Sequence, residues 1–125
     1  MDIRTVINRL RHRRDRAPSL YDLVPHADAL PRSLPRVELV PAEEVVGTTR
    51  QPSTLTADFL PRPEQRTAHW RHDMGRILAA QEDLTVLPPV ELLKAGCGYF
   101  VVDGHKRVAA ARRTGAVLDA IVVEL

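Results

Sequence analysis

A single cysteine, Cys97, is the whole thiol content of the 125 residues, so no disulfide can close within the chain and a reducing cytoplasm is the expected compartment. Aromatic side chains number only five, which together with the length allows one modest core and excludes two. No apolar run approaches the roughly 18 residues that a membrane-spanning helix needs. The basic N-terminus lacks the apolar stretch of a secretory signal. Charge of one sign is also scarce: the formal net charge is +2, too small to mark the whole chain as a nucleic-acid binder.

What charge there is lies at the front. Residues 1–16 hold six arginines against Asp2 and Asp15, so the rest of the chain is slightly acidic. Ile3, Val6, Ile7 and Leu10 recur at helical spacing behind Asp2 as a cap, which predicts a basic amphipathic helix closed by Pro18. Its arginines, Arg9, Arg11, Arg13 and Arg14 among them, can neutralise nucleic-acid phosphates without reading sequence, or serve as a solvated or partner-docking face, including that of a homodimer. Prolines 18, 25, 31 and 35 then remove backbone donors every few residues, so 17–36 reads as a linker lying along the body through Leu20, Tyr21, Leu23 and Val24. The expected division is 1–36 as basic helix and linker, and 37–125 as the folded domain.

Within that domain, Val37–Val40 alternates as a strand and stops at Pro41. Ala42–Val46 is expected as a turn of helix ending at Gly47, and Thr48–Thr56 as a polar loop. Trp70, Met74, Ile77 and Leu78 share a helical face, predicting a helix over Pro63–Gln81 that buries Trp70. Val90–Lys94 and Tyr99–Val102 flank a turn with two glycines, a β-hairpin. His105–Thr114 is a helix closed by Gly115, and Val117–Val123 a final strand.

The start of the His105 helix carries the chemistry. Unpaired amides and the macrodipole favour acidic residues in a first turn, yet here it holds His105, Lys106 and Arg107. A bound anion would resolve the conflict: Gly104 lets backbone approach a ligand, the amides point outward, and Arg107 offers a planar fork. The same pattern is satisfied by basic residues that are merely solvated. Asp103 is either a helix cap or a carboxylate that positions a metal at the phosphates, and Glu43 and Glu44 are acids in the opening loop. Arg50, in the polar loop, is either a phosphate contact or a structural or merely exposed residue. His69, His72 and Asp73 could share a helical face as metal ligands, but no third strong ligand follows at a recognisable spacing.

The run from Tyr99 through Asp103-Gly104-His105-Lys106-Arg107 and Ala109-Ala110-Ala111 to Gly115 resembles the signature of the ParB/sulfiredoxin-like superfamily, in which a strand leads into a Gly-x-x-Arg box, an alanine-containing helix and a glycine. Pro88-Pro89-Val90 resembles the strand before that box and Val37–Gly47 the opening strand and loop. The resemblance implies an α+β fold, a small mixed sheet with packed helices, to which the N-terminal basic helix is added. Members bind nucleotides at the box: partition proteins bind and hydrolyse CTP, sulfiredoxin uses ATP, a related archaeal enzyme phosphorylates free serine, and some relatives are nucleases.

The resemblance therefore implies a nucleoside triphosphate with Mg²⁺ at Gly104, His105, Lys106, Arg107 and Arg50, with Asp103 holding the metal and Glu43 or Glu44 as base in the kinase branch. The partition-protein box is Gly-Glu-Arg-Arg, whereas His105 and Lys106 stand here, and no room follows Leu125 for the DNA-reading module of chromosome partitioning. The sulfiredoxin box has cysteine where His105 stands. The Asp103-Gly104-His105-Lys106-Arg107 form resembles small bacterial ParB-like proteins and the serine kinase branch. The leading expectation is a CTP- or ATP-dependent binding module with slow hydrolysis; the others are a small-molecule kinase and a DNA-binding protein or nuclease.

Overall fold

The computed structural model describes residues 16–50, 55–61, 63–82, 87–96 and 98–125; the predicted basic helix, with Arg9, Arg11, Arg13 and Arg14, and Cys97 lie outside them. Among the described residues five strands, β1 (Arg36–Pro41), β2 (Val45–Thr48), β3 (Val90–Ala95), β4 (Gly98–Asp103) and β5 (Val117–Glu124), and three α-helices, α1 (Leu20–Leu23), α2 (Ala68–Glu82) and α3 (His105–Thr114), make an α+β fold. The sheet order is β1-β5-β3-β4-β2. It is mixed, as expected: β1–β5 and β3–β4 are antiparallel, β3–β5 and β2–β4 parallel. Among the described residues no helix is long and apolar enough to cross a membrane.

Chain length dictates the shape of this sheet. β1 and β2 are its two edges, yet only the 3₁₀ turn Ala42–Glu44 separates Pro41 from Val45. Four residues of extended chain reach about 14 Å, whereas four strand spacings across a flat sheet come to about 19 Å. The sheet must curl. Helix α3 packs on the inner face, which its run of Ala109, Ala110 and Ala111 permits, since these side chains are nearly or fully buried. Arg112 fastens the short link by donating to the carbonyls of Ala42 at 3.3 Å and Val45 at 2.9 Å.

Two apolar clusters sandwich the sheet. On the inner face Val40, Leu92, Val101, Leu118 and Val122 pack with Val108 of α3 and Met74 of α2. On the other, Leu93, Ala95, Phe100 and Val46 pack with Leu20 and Ala27. The stretch expected as a linker lies along the body through Leu20, Tyr21, Leu23 and Val24, as expected, and forms part of this cluster. Leu20 is fully buried on α1, and Ser19 bridges Thr48 in parallel fashion, with the Thr48 amide donating to Pro18 O at 2.9 Å. That bridge covers the open edge of β2.

Two further elements differ from expectation. Only Ala42–Glu44 of the predicted helical turn is helical, and β2 begins at Val45. All four β2 residues are buried, which removes the apolar–polar alternation that would have marked a strand. Gly47 is required because a Cβ there would lie 2.5 Å from Pro18 O and 2.7 Å from the Phe100 ring. Helix α2 starts at Ala68, behind a 3₁₀ turn at Pro63–Gln65. Thr67 explains the start: its Oγ1 accepts from the Trp70 amide at 3.1 Å, as an N-cap does. Trp70 is half-buried, packed at the margin of the inner core with the Arg66 guanidinium 5.6 Å from its ring centroid.

Candidate functional site at the β4–α3 turn

Parallel pairing of β2 with β4 sends both chains off the sheet in the same direction, Thr48 opposite Val101. The carboxyl ends of adjacent parallel strands are where open α/β sheets take their ligands. Here they deliver Thr48–Arg50 beside Asp103–Arg107. Gly104 enters the left-handed region at φ 102°, and a Cβ on it would lie 2.7 Å from Val90 Cγ1. Glycine is demanded twice, by torsion and by space. Beyond it α3 begins with no side-chain cap and no acidic residue in its first turn, so the amides of residues 105–107 have no partner within the helix.

The three side chains of that turn go three ways. His105 is buried, and its Nε2 shares a 2.7 Å hydrogen bond with Thr48 Oγ1, which also accepts from the Arg50 amide at 3.1 Å. Burial, reinforced by the Arg50 charge and opposed by Asp103, pushes the imidazole down to about 4. It is therefore neutral at pH 7, and it brings no cation to the first turn. Lys106 donates to Asp73 Oδ2 of α2 at 2.8 Å, and its ammonium holds the Asp73 carboxyl below the usual range. Arg107 donates through Nη1 to Pro88 O at 2.7 Å and Pro89 O at 3.2 Å, and through Nη2 to Asp103 at 3.4 Å.

The conflict between a basic first turn and the helix dipole is thus relieved inside the chain, by neutralising one residue and supplying acceptors to the other two. What stays open to a ligand is the backbone end of α3, the exposed Arg50 and the exposed Asp103 carboxylate.

Of the residues predicted for the site, the fold brings together Arg50, Asp103, Gly104, His105, Lys106 and Arg107. It does not bring Glu43 and Glu44 to them. These acids lie on the 3₁₀ turn held by Arg112, which stands seven residues and about 10 Å of helical rise beyond His105 on α3. Asp103 is the carboxylate at the turn. His69 Nε2 lies 3.3 Å from Asp73, already engaged by Lys106, and among the described residues no group of three or more His, Cys, Asp or Glu could hold a metal ion.

Three acceptor positions were not assigned this role from the sequence. Thr48, Asp73 and Pro88–Pro89 each receive one of the basic residues. The only sequence signal was indirect: three basic side chains in one first turn need acceptors, and Asp73 on a neighbouring helix was available.

No family model matches the chain, and no curated protein matches it. Among solved structures, sulfiredoxin from Arabidopsis thaliana is similar at 11% identity over 70% of this chain and 83% of that one, with a TM-score of 0.46. A likeness at that level speaks to neither ligand nor chemistry.

Proposed function

We propose that the protein is a binding module for a small phosphate-bearing ligand, in the first place a nucleotide, held where Thr48–Arg50 meets Asp103–Arg107. The observation that carries this reading is the uncapped start of α3 behind Gly104, with no acid in its first turn and with Arg50 close enough to His105 to lower its pKa. Amides at such a terminus suit phosphate oxygens. Arg50 supplies a guanidinium that has no side-chain partner among the described residues, while Lys106 and Arg107 stand at the rim and can turn from Asp73 and Asp103 toward a bound phosphate.

Asp103 alone does not make a metal site. Mg²⁺ is commonly held by one or two carboxylates together with substrate phosphates, so the residues present fit it as a bridge completed by the ligand. Slow hydrolysis would then depend on that ion and on Asp103. The placement of Glu43 and Glu44 at the far end of α3 favours binding over transfer to an acceptor hydroxyl.

Calorimetric titration with CTP, ATP, ADP and GTP in the presence of Mg²⁺ tests the reading. Saturable binding of at least one is expected, and Arg50→Ala should weaken it by roughly tenfold or more, the worth of one charge-assisted hydrogen bond. Absence of binding to all four would sink the proposal.

A further inference from the structure

A concavity lies away from the β4–α3 turn, between α2, α3 and the 55–61 loop. It encloses about 600 Å³, within the range of small-molecule sites. Its floor is apolar: Ala109 and Ala110 of α3, with Met74, Leu78 and the Trp70 side chain from α2 and Leu60 from the loop. Among the described residues four arginines, Arg66, Arg71, Arg112 and Arg113, line it against two carboxylates, Glu43 and Asp58, an excess of two positive charges. Apolar floor and cationic rim occur together.

Those arginines are not equivalent. Arg66 is spent on Pro61 O at 2.9 Å and on the face of Trp70. Arg112 is spent on two carbonyls and lies 5.4 Å from the Phe59 ring centroid, but its Nε is buried with no hydrogen-bond partner, 3.8 Å from the exposed Asp58. Arg71 and Arg113 are exposed, and among the described residues neither side chain has a hydrogen-bond or ion-pair partner. Two uncommitted guanidiniums therefore flank an apolar floor.

Gly75 is a separate pointer to the same space. It lies inside α2, where glycine is the poorest helix former after proline, and it lines the concavity. Nothing among the described residues explains it: a Cβ at Gly75 would meet none of their atoms within 4 Å. The missing side chain keeps the floor open without serving any contact of the chain itself.

We infer that this concavity binds a small amphipathic anion, a flat or alkyl apolar body lying over Gly75, Ala109 and Ala110 beside Trp70, with its carboxylate, sulfonate or phosphate head on Arg71 and Arg113. It is independent of the β4–α3 turn, because it shares none of that turn's residues.

Fluorescence titration of the full chain with 1-anilinonaphthalene-8-sulfonate is the test. Saturable binding of one probe per chain is expected. Arg71→Glu with Arg113→Glu should weaken it by roughly tenfold or more, and Gly75→Leu should abolish it, with circular dichroism melts showing both variants folded. Arg76→Glu, on α2 but outside the concavity, should leave affinity unchanged. 2-Naphthoate should displace the probe, whereas neutral 2-naphthalenemethanol and inorganic phosphate at the same concentration should not.

Absence of one-to-one binding, unchanged affinity in the double variant, equal weakening by Arg76→Glu, displacement by phosphate, or equal displacement by the neutral alcohol would each overturn the inference. Phosphate displacement would do so without touching the nucleotide reading, which is tested separately by calorimetry.

Discussion

His105 occupies the first turn of α3, where an imidazolium would face the positive end of the helix dipole and lose its hydration. Burial keeps it neutral, its pKa lowered from the ordinary 6.5 to about 4, with Arg50 adding to the effect and Asp103 opposing it. Between those two values the unfolded chain takes up a proton that the folded chain refuses, so stability falls as pH drops through that window and levels off below it. The melting temperature of the protein should therefore decline from pH 6.5 toward pH 4. Part of that decline should vanish in His105→Gln; an identical slope in the variant would mean that other groups set it.

Thr48, the partner of His105, is fully buried. Thr48→Val would strip an acceptor from the Arg50 amide and a partner from His105, a loss of about 1–3 kcal/mol for leaving buried polar groups unpaired, read in a urea titration. Gly104→Ala should cost about 1–3 kcal/mol from strained backbone alone, and its Cβ would also press on Val90. Pairing it with Val90→Ala should relieve only the steric part. Full rescue would show that torsion at residue 104 is not limiting.

At the scale of elements, Gly75 and Arg107 show opposite relations between a residue and its helix. Gly75 weakens α2 with no compensating contact, so Gly75→Ala should raise stability by about 1 kcal/mol. A lowered melting temperature would mean that the helix surface there is not open. Arg107 does more for β3 than for α3. It satisfies the carbonyls of Pro88 and Pro89, which precede β3, and Arg107→Lys should loosen that entry because an ammonium cannot reach both carbonyls and Asp103 in one plane. Hydrogen exchange at Val90 and Glu91 would report it.

The same elements show why some of the structure could be read from the chain and some could not. The hairpin and α3 announce themselves by local chemistry: glycines at the turn, an alanine run, Gly115 as C-cap. β2 does not, because its burial comes from Phe100 and Pro18, both remote in sequence. The site divides in the same way. The glycine turn and its basic residues were legible, since both are consecutive, but the acceptors that occupy them come from Thr48, Asp73 and Pro88, placed by tertiary contacts that no local pattern encodes. The basic turn was a true signal of unmet charge, and the fold met much of it internally.

The whole molecule is a curled sheet with an apolar cluster on each side. The outer cluster depends on residues 20–29, which contribute Leu20 and Ala27, while the inner one depends on α2 and α3. Whether these make one cooperative unit follows from the sheet itself: Leu92 and Leu93 are adjacent on β3 yet face opposite clusters, and side chains alternate faces along a strand. Neither cluster can loosen without exposing the shared backbone ladder. Phe100→Ala on the outer side should cost about 3–5 kcal/mol and Leu92→Ala on the inner side about 2–5 kcal/mol, each in a single transition with the same midpoint by circular dichroism and by Trp70 fluorescence. Trp70 belongs to the inner side, so it is the discriminating probe. If Phe100→Ala shifted the circular dichroism midpoint but left the Trp70 midpoint in place, residues 20–29 and the outer face would be melting by themselves, and the two clusters would not form one cooperative unit.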